Sequence, residues 1–246
     1  MGELSEMKLL VVGGSSGVGR AVGLAAAREG AKVAFAGRRL DRLEEAAAEA
    51  GGGAVGLACD VRDPGSCQAV VDEAARRLGG LTCLLYTPTY LQLRFLEDAG
   101  PEDWAASLET NIVGPALITR AALAHLRPAR GRVVYVSSDW SRYPRQALCL
   151  YGVGKAGLDT LCLGFRIEVP EVAFSTVVLG PTAPTEVWRD WDWELADRML
   201  KHWEAKGINY RGVMQTEDAA AEILGVLRAR VRIDEVVLEP PEGGPQ

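Results

Sequence analysis

Lys8-Leu-Leu-Val-Val12 runs directly into Gly13-Gly-Ser-Ser-Gly17-Val-Gly19, and an alanine-rich stretch follows as far as Glu29-Gly30. The apolar run reads as a strand and Val18–Glu29 as a helix, with Gly30 where a C-cap belongs. Glycines at such a turn answer three physical needs. The turn requires φ > 0, a backbone without Cβ lets a pyrophosphate come close, and the helix start must pack tightly on the sheet. The exposed N–H groups and the dipole at the helix start then favour an anion. A glycine pattern alone is weak, but between a strand and a helix it predicts a dinucleotide-binding turn. Its contacts would come from Gly13, Ser15, Ser16, Gly17, Val18 and Gly19.

The same alternation continues along the chain. Strands are expected at Lys32–Ala36, Ala54–Ala58, Leu81–Tyr86, Arg132–Ser137, Val172–Leu179 and Glu235–Leu238, making seven with the first. Helices are expected near Leu40–Ala50, Ser66–Leu78, Glu102–Leu126, Tyr151–Glu168, Glu186–Lys206 and Thr216–Arg230. The strands are near-continuous apolar runs such as RVVYV and FSTVVL. That is the pattern of strands covered on both faces. No repeat or linker divides the 246 residues. The expectation is one doubly wound, Rossmann-type α/β domain: a seven-stranded parallel sheet with helices on both faces. Segment 186–212 would be a substrate lid, and Glu239–Gln246 a frayed end.

Composition narrows the function classes. With 27 Lys and Arg against 33 Asp and Glu, the net charge is −6, which argues against nucleic acid as a partner. Five scattered cysteines, none at metal-ligand spacing, read as reduced thiols and predict no metal. The start carries acids and only a short apolar run, so neither a signal peptide nor a membrane span is expected. The expected location is cytoplasmic.

The chemistry lies further along. Tyr151 and Lys155 stand four apart on a helix, hence on one face. A phenol titrates near 10 and trades protons poorly at neutral pH, so a neighbouring ammonium is expected to lower it. Ser138 closes the fifth strand, where open α/β sheets bind ligands. The spacing Gly13-x-x-x-Gly17-x-Gly19 resembles the glycine motif of the short-chain dehydrogenase/reductase family. Asn111 in Asn-Ile-Val-Gly, with Ser138, Tyr151 and Lys155, resembles that family's catalytic tetrad, and the likeness spans about Lys8 to Leu238.

By that resemblance Tyr151 exchanges a proton with a carbonyl or alcohol oxygen, and Ser138 donates a hydrogen bond to the same oxygen. Lys155 lowers the Tyr151 pKa and holds the nicotinamide ribose, and Asn111 anchors a proton-relaying water. Asp60 would hold the adenine amino group beside Val61. Thr87, Pro181 and Thr185 would complete the cofactor site. After the second strand an NAD binder places an acid, whereas this chain has Arg38-Arg39. Paired guanidiniums suit a 2′-phosphate, so NADP(H) is expected over NAD.

Departures from the family are local. Tyr86-Thr87-Pro88-Thr89 stands where an Asn-Asn-Ala-Gly turn is usual, and Gly180-Pro181 reverses a Pro-Gly turn. The substrate expected is a ketone, or its secondary alcohol, of a hydrophobic aromatic or polycyclic molecule. Thr89, Trp140, Tyr143, Trp188 and Trp191 are its expected contacts, with Trp193 a further flat wall. The alternatives are non-redox chemistry on the same fold, such as isomerisation or cyclisation, or cofactor binding without turnover. By analogy the fourth and fifth helices would pair two subunits into a homodimer or homotetramer.

Overall fold

The computed structural model describes residues 4–189, 191–207 and 212–240. Seven strands form one sheet: β1 (Lys8–Val12), β2 (Lys32–Gly37), β3 (Val55–Ala58), β4 (Cys83–Tyr86), β5 (Arg132–Ser138), β6 (Ala173–Leu179) and β9 (Glu235–Leu238). Their order is β3-β2-β1-β4-β5-β6-β9 and every neighbouring pair is parallel. The connections leave β1 toward β2 and β4 toward β5, so the strand order reverses between β1 and β4. A crevice opens there beyond the carboxyl ends of the strands, as in other open α/β sheets. A separate two-stranded pair joins β7 (Thr182–Ala183) to β8 (Met214–Gln215).

Helices cover both faces. α1 (Gly17–Arg28), α2 (Leu40–Ala50) and α8 (Thr216–Arg228) pack over Leu9, Val11, Phe35 and Val134. α3 (Pro64–Leu78), α5 (Gly114–Ala129) and α6 (Cys149–Glu168) cover the other face, over Leu10, Leu84, Val133 and Phe174. α3 illustrates the local logic. Cys67, Val70, Val71, Ala74, Ala75 and Leu78 are its buried stripe at helical spacing. Asp63 caps it by accepting from the Gly65 N–H, Pro64 occupies its first turn, and Gly79 ends it in the left-handed region.

Two expectations need correction. Glu102–Leu126 is not one helix: α4 (Pro101–Leu108) and α5 are joined by a π-helical turn, Glu109–Val113. The Gly114 N–H bonds the Glu109 carbonyl five residues back. The next donor in that register is Pro115, which has no N–H, so the Thr110 carbonyl lacks a helical partner. The Tyr86 hydroxyl fills the gap, donating to it at 2.6 Å. The second correction concerns the proposed lid. Its helix, α7 (Trp193–Ala205), begins seven residues late because Asp192 caps it, accepting from the Glu194 and Leu195 N–H groups. Residues 190 and 208–211 of that segment, and 241–246 of the expected frayed end, lie outside the described residues.

Candidate active site

The glycine turn joins β1 to α1 in the crevice. Gly13 has φ +85° and Gly17 φ +52°, both in the region that favours glycine. A Cβ on Gly13 would stand 2.2 Å from Thr87 Oγ1, and one on Gly19 2.5 Å from the Gly13 carbonyl oxygen. The turn is therefore held against the segment that follows β4. Thr87 does the holding: its hydroxyl donates to the Val12 carbonyl at 2.9 Å. Ser16 takes the N-cap position of α1 without capping it, which leaves the first N–H groups of the helix open toward an anion. Val18 is buried beneath the turn. Thr185 packs its Cβ against the space beside Gly17, and its hydroxyl oxygen is buried with no hydrogen-bond partner among the described residues. An open helix start, a cradle that side chains would fill and an orphaned hydroxyl fit a dinucleotide.

The two arginines diverge. Arg39 Nη2 donates to Ser15 Oγ and Ser16 Oγ, both at 2.9 Å, whereas Arg38 is exposed and its charge acts on Asp60. Asp60 is held by Arg62 through both carboxylate oxygens, which pulls its carboxyl down to about 2. An adenine amino group would have to share that carboxylate. Val61 is buried against Gly114, and the Pro181 carbonyl accepts from the Met214 N–H.

α6 carries Tyr151 and Lys155 into the same interior. The Lys155 ammonium lies 5.7 Å from the Tyr151 ring centre and donates to the Val136 carbonyl of β5 at 2.8 Å. Both side chains are buried. The expected lowering of the phenol does not occur in this state. Burial pushes the Tyr151 phenol above its ordinary value, and the Ser138 and Thr89 hydroxyls facing it offset only part of that. Burial also pulls the Lys155 ammonium down to about 8, against the opposing charge of Asp159. The ammonium is turned to the Val136 carbonyl, 5.7 Å from the ring centre, and does not offset the desolvation of the phenol.

Ser138 is engaged by its chain neighbours and faces Tyr151. Its hydroxyl donates to Asp139 Oδ1 at 3.0 Å and accepts from the Trp140 N–H at 3.3 Å. Asp139 is itself paired with Arg145 at 3.4 Å, and burial raises its carboxyl. Sequence reasoning missed this carboxylate. The only signal was an acid immediately after the strand-end serine, with a base six residues on. Asn111 is fully enclosed. Its Oδ1 accepts from Thr89 Oγ1 and the Tyr90 N–H, and its Nδ2 donates to the Tyr90 carbonyl and Ser107 Oγ. Four protein partners exhaust the amide, so the side chain has no valence for the expected water. It clamps the loop after β4 onto the π-helical turn instead. Gly154 makes this possible, since a Cβ there would meet Asn111 Nδ2 at 2.7 Å.

An aromatic cluster closes over Tyr151. Trp140 meets Tyr151 edge-on at 5.6 Å, with Trp188 at 6.0 Å and Trp203 at 6.5 Å from Trp140. Trp191 stands 4.5 Å from Trp188. Leu91, Leu93 and Leu148 complete this apolar group. The indole N–H groups of Trp140, Trp191 and Trp203 are buried there without a partner among the described residues. Two expected walls stand outside the buried cluster: Tyr143 is 69% exposed, and Trp193, 62% exposed, touches it only through Trp191 at 6.4 Å. Tyr143 lies in the first turn past the short helix after β5 and points outward, and Trp193 opens α7 on its solvent side. Trp203, not singled out from sequence, is fully buried in the cluster. Its helical offset from Ala196 and Met199 was the available signal.

Comparison with known proteins agrees with this fold. A family model described as "short chain dehydrogenase" matches residues 8–195. The chain is similar to a 3-oxoacyl-[acyl-carrier-protein] reductase of Bos taurus, 31% identical over 78% of this chain and 80% of that protein. It is also similar to an 11-beta-hydroxysteroid dehydrogenase-like protein of Arabidopsis thaliana, 32% identical over 70% of this chain. The match spans 58% of that plant protein's length. Among solved structures, a short-chain type dehydrogenase/reductase of Mycobacterium marinum superposes with a TM-score of 0.84 at 26% identity, covering 98% of this chain and 97% of that one. A short chain dehydrogenase of Burkholderia cenocepacia in complex with NADP has the same fold, with a TM-score of 0.80 at 24% identity over 96% of this chain and 97% of that one. The chain therefore belongs to the short-chain dehydrogenase/reductase family of oxidoreductases, which bind a nicotinamide cofactor.

Proposed function

We propose that the protein interconverts a ketone and its secondary alcohol on a hydrophobic, aromatic or polycyclic molecule, with NADP(H) as the cofactor. The observation that carries the reading is the buried Tyr151 phenol, faced by the Ser138 and Thr89 hydroxyls and lying 5.7 Å, at its ring centre, from the Lys155 ammonium. When bound, the nicotinamide supplies or accepts the hydride. Tyr151 gives a proton to the carbonyl oxygen in reduction and takes it back in oxidation. Ser138 turns its hydroxyl from Asp139 to that oxygen, and Lys155 holds the ribose hydroxyls. The Asn111 clamp keeps Thr89 beside Tyr151. The ring cluster of Trp140, Trp188 and Trp191 supports a flat apolar substrate, as does the relative named for a hydroxysteroid, while the relative named for a 3-oxoacyl group supports a ketone. Purified protein given NADPH and a panel of aryl and cyclic ketones is expected to consume the cofactor. A broad panel that leaves NADPH untouched despite tight binding would favour non-redox chemistry.

Arg39, seated on Ser15 and Ser16, supports the choice of NADP(H). Arg39→Ala is expected to weaken NADPH binding about 10- to 100-fold, the scale of lost charge-assisted hydrogen bonds, with little change for NADH. An unaltered NADPH/NADH affinity ratio, measured by calorimetry, would refute the assignment.

The reading extends to assembly and location. Leu108 and Val113 on one side, and Val153, Leu163 and Ile167 on α6, are exposed apolar residues, which suits pairing of these helices in a homodimer or homotetramer. Sedimentation is expected to give a dimer or larger, and Leu163→Asp with Ile167→Asp a monomer; a wild-type monomer would contradict it. Five free thiols suit the cytoplasm. No helix among the described residues is long and apolar enough to cross a membrane, and the net charge of −6 argues against nucleic acid as a partner.

A further inference from the structure

The turn after Thr185 brings the chain back to the cofactor end of the crevice. Glu186 Oε2 accepts from Arg39 Nη1 at 2.5 Å, while Nη2 of the same guanidinium holds Ser15 and Ser16. Arg189 stands 3.8 Å from the same carboxylate oxygen. Arg39 above all, helped by the Ser16 hydroxyl and Arg189, holds the Glu186 carboxyl below its ordinary range. One carboxylate is thus ringed by two guanidiniums and a hydroxyl at the first turn of α1. A guanidinium fork with flanking hydroxyls is equally a donor set for a phosphate monoester. Carboxylate and phosphate are both anions, so they oppose each other in one site.

We propose that Glu186 is an internal competitor for the cofactor's 2′-phosphate, and that its displacement from Arg39 releases the turn carrying Trp188 and loosens the aromatic cover over Tyr151. The inference rests on the NADP(H) reading above. The path is short. Trp188 lies two residues beyond Glu186, its ring meets Trp140, and Trp140 meets Tyr151. A dinucleotide lacking the 2′-phosphate leaves Arg39 on Glu186 and the cover in place. Choice of cofactor and access to Tyr151 are then a single event, and cofactor binds before substrate.

The test uses the full chain and two probes without nicotinamide, adenosine 2′,5′-bisphosphate and 5′-AMP, read by calorimetry and tryptophan emission. The bisphosphate is expected to bind more tightly than 5′-AMP, and it alone to shift the emission. Glu186→Gln is expected to bind the bisphosphate roughly two- to fivefold more tightly, the scale of an exposed ion pair. Its affinity for 5′-AMP should stay put, and its ligand-free emission should resemble that of the wild-type complex. Glu186→Asp, which keeps the charge, should stay nearer the wild type. If the wild type prefers the bisphosphate but Glu186→Gln changes neither affinity nor emission, the competitor role is overturned and the cofactor reading stands. If the wild type binds both probes alike, the cofactor reading fails and this inference falls with it.

Discussion

Tyr151→Phe is expected to lower kcat/KM for ketone reduction by about 10²- to 10⁴-fold, the range that a positioned general acid contributes. Dinucleotide affinity should stay within about twofold. The substitution removes one oxygen and leaves the ring in its edge-on contact with Trp140. The buried phenol is neutral, and the Ser138 and Thr89 hydroxyls that face it keep Asp139 and Asn111 as partners, so the fold should not suffer. Steady-state kinetics together with calorimetric titration of NADPH separate the two effects. Lost cofactor binding with the fold intact would mean that Tyr151 holds the dinucleotide and does not move the proton. A near-normal rate would remove the mechanism altogether.

Lys155→Met should act in opposite directions on stability and activity. The Lys155 ammonium is buried and drawn down from 10.5 to about 8, chiefly by desolvation. A base whose pKa is lowered on folding binds its proton less readily in the native state than in the unfolded one. Stability then rises as pH climbs from about 8 to 10.5, and the cost of burying the charge is fully present below 8. That cost is on the order of 3 kcal/mol, partly offset by the bond to the Val136 carbonyl that methionine would forfeit. Lys155→Met is therefore expected to gain about 1–2 kcal/mol at pH 7 by denaturant unfolding. The gain should shrink between pH 8 and 10.5, while turnover falls at least about 100-fold. A destabilised variant at pH 7, or a gain that does not vary across this window, would show that the ammonium is better solvated than its surroundings indicate.

The main sheet was legible because its strands are apolar runs, and its seven strands fall within two residues of the runs that announced them, whereas the two-residue strands β7 and β8 carried no such run. Tyr151 and Lys155 were legible because four-residue spacing fixes a helix face whatever surrounds it. What was hidden depends on contacts between distant segments. The break at Glu109–Val113 left no mark in hydrophobicity, and only Pro115 hinted at it. Asn111 read as a relay residue, yet all its partners but Ser107 belong to the Thr89–Tyr90 loop some twenty residues earlier, which no local pattern reveals. The same holds for the phenol. Spacing predicts that an ammonium is near, but the sign of the pKa shift depends on how much water both groups have lost. Tyr143 misled through sequence proximity to Ser138, since one further turn of the chain was enough to aim it at solvent.

The widened turn at Glu109–Val113 also makes the chain unevenly tolerant of changes in length. It stores one residue more than an α-helical path would need. Deleting a residue there would let the turn close into an ordinary α-helical path, with α4 and α5 kept nearly in register. The contacts that the widened turn gives Asn111, to Ser107 on one side and to Thr89 and Tyr90 on the other, would be disturbed, and the loop beside Tyr151 would lose its anchor although neither Tyr151 nor Lys155 had been touched. By contrast, the three glycines at 51–53 have open space where side chains would go. Insertions could accumulate there without any echo in the crevice.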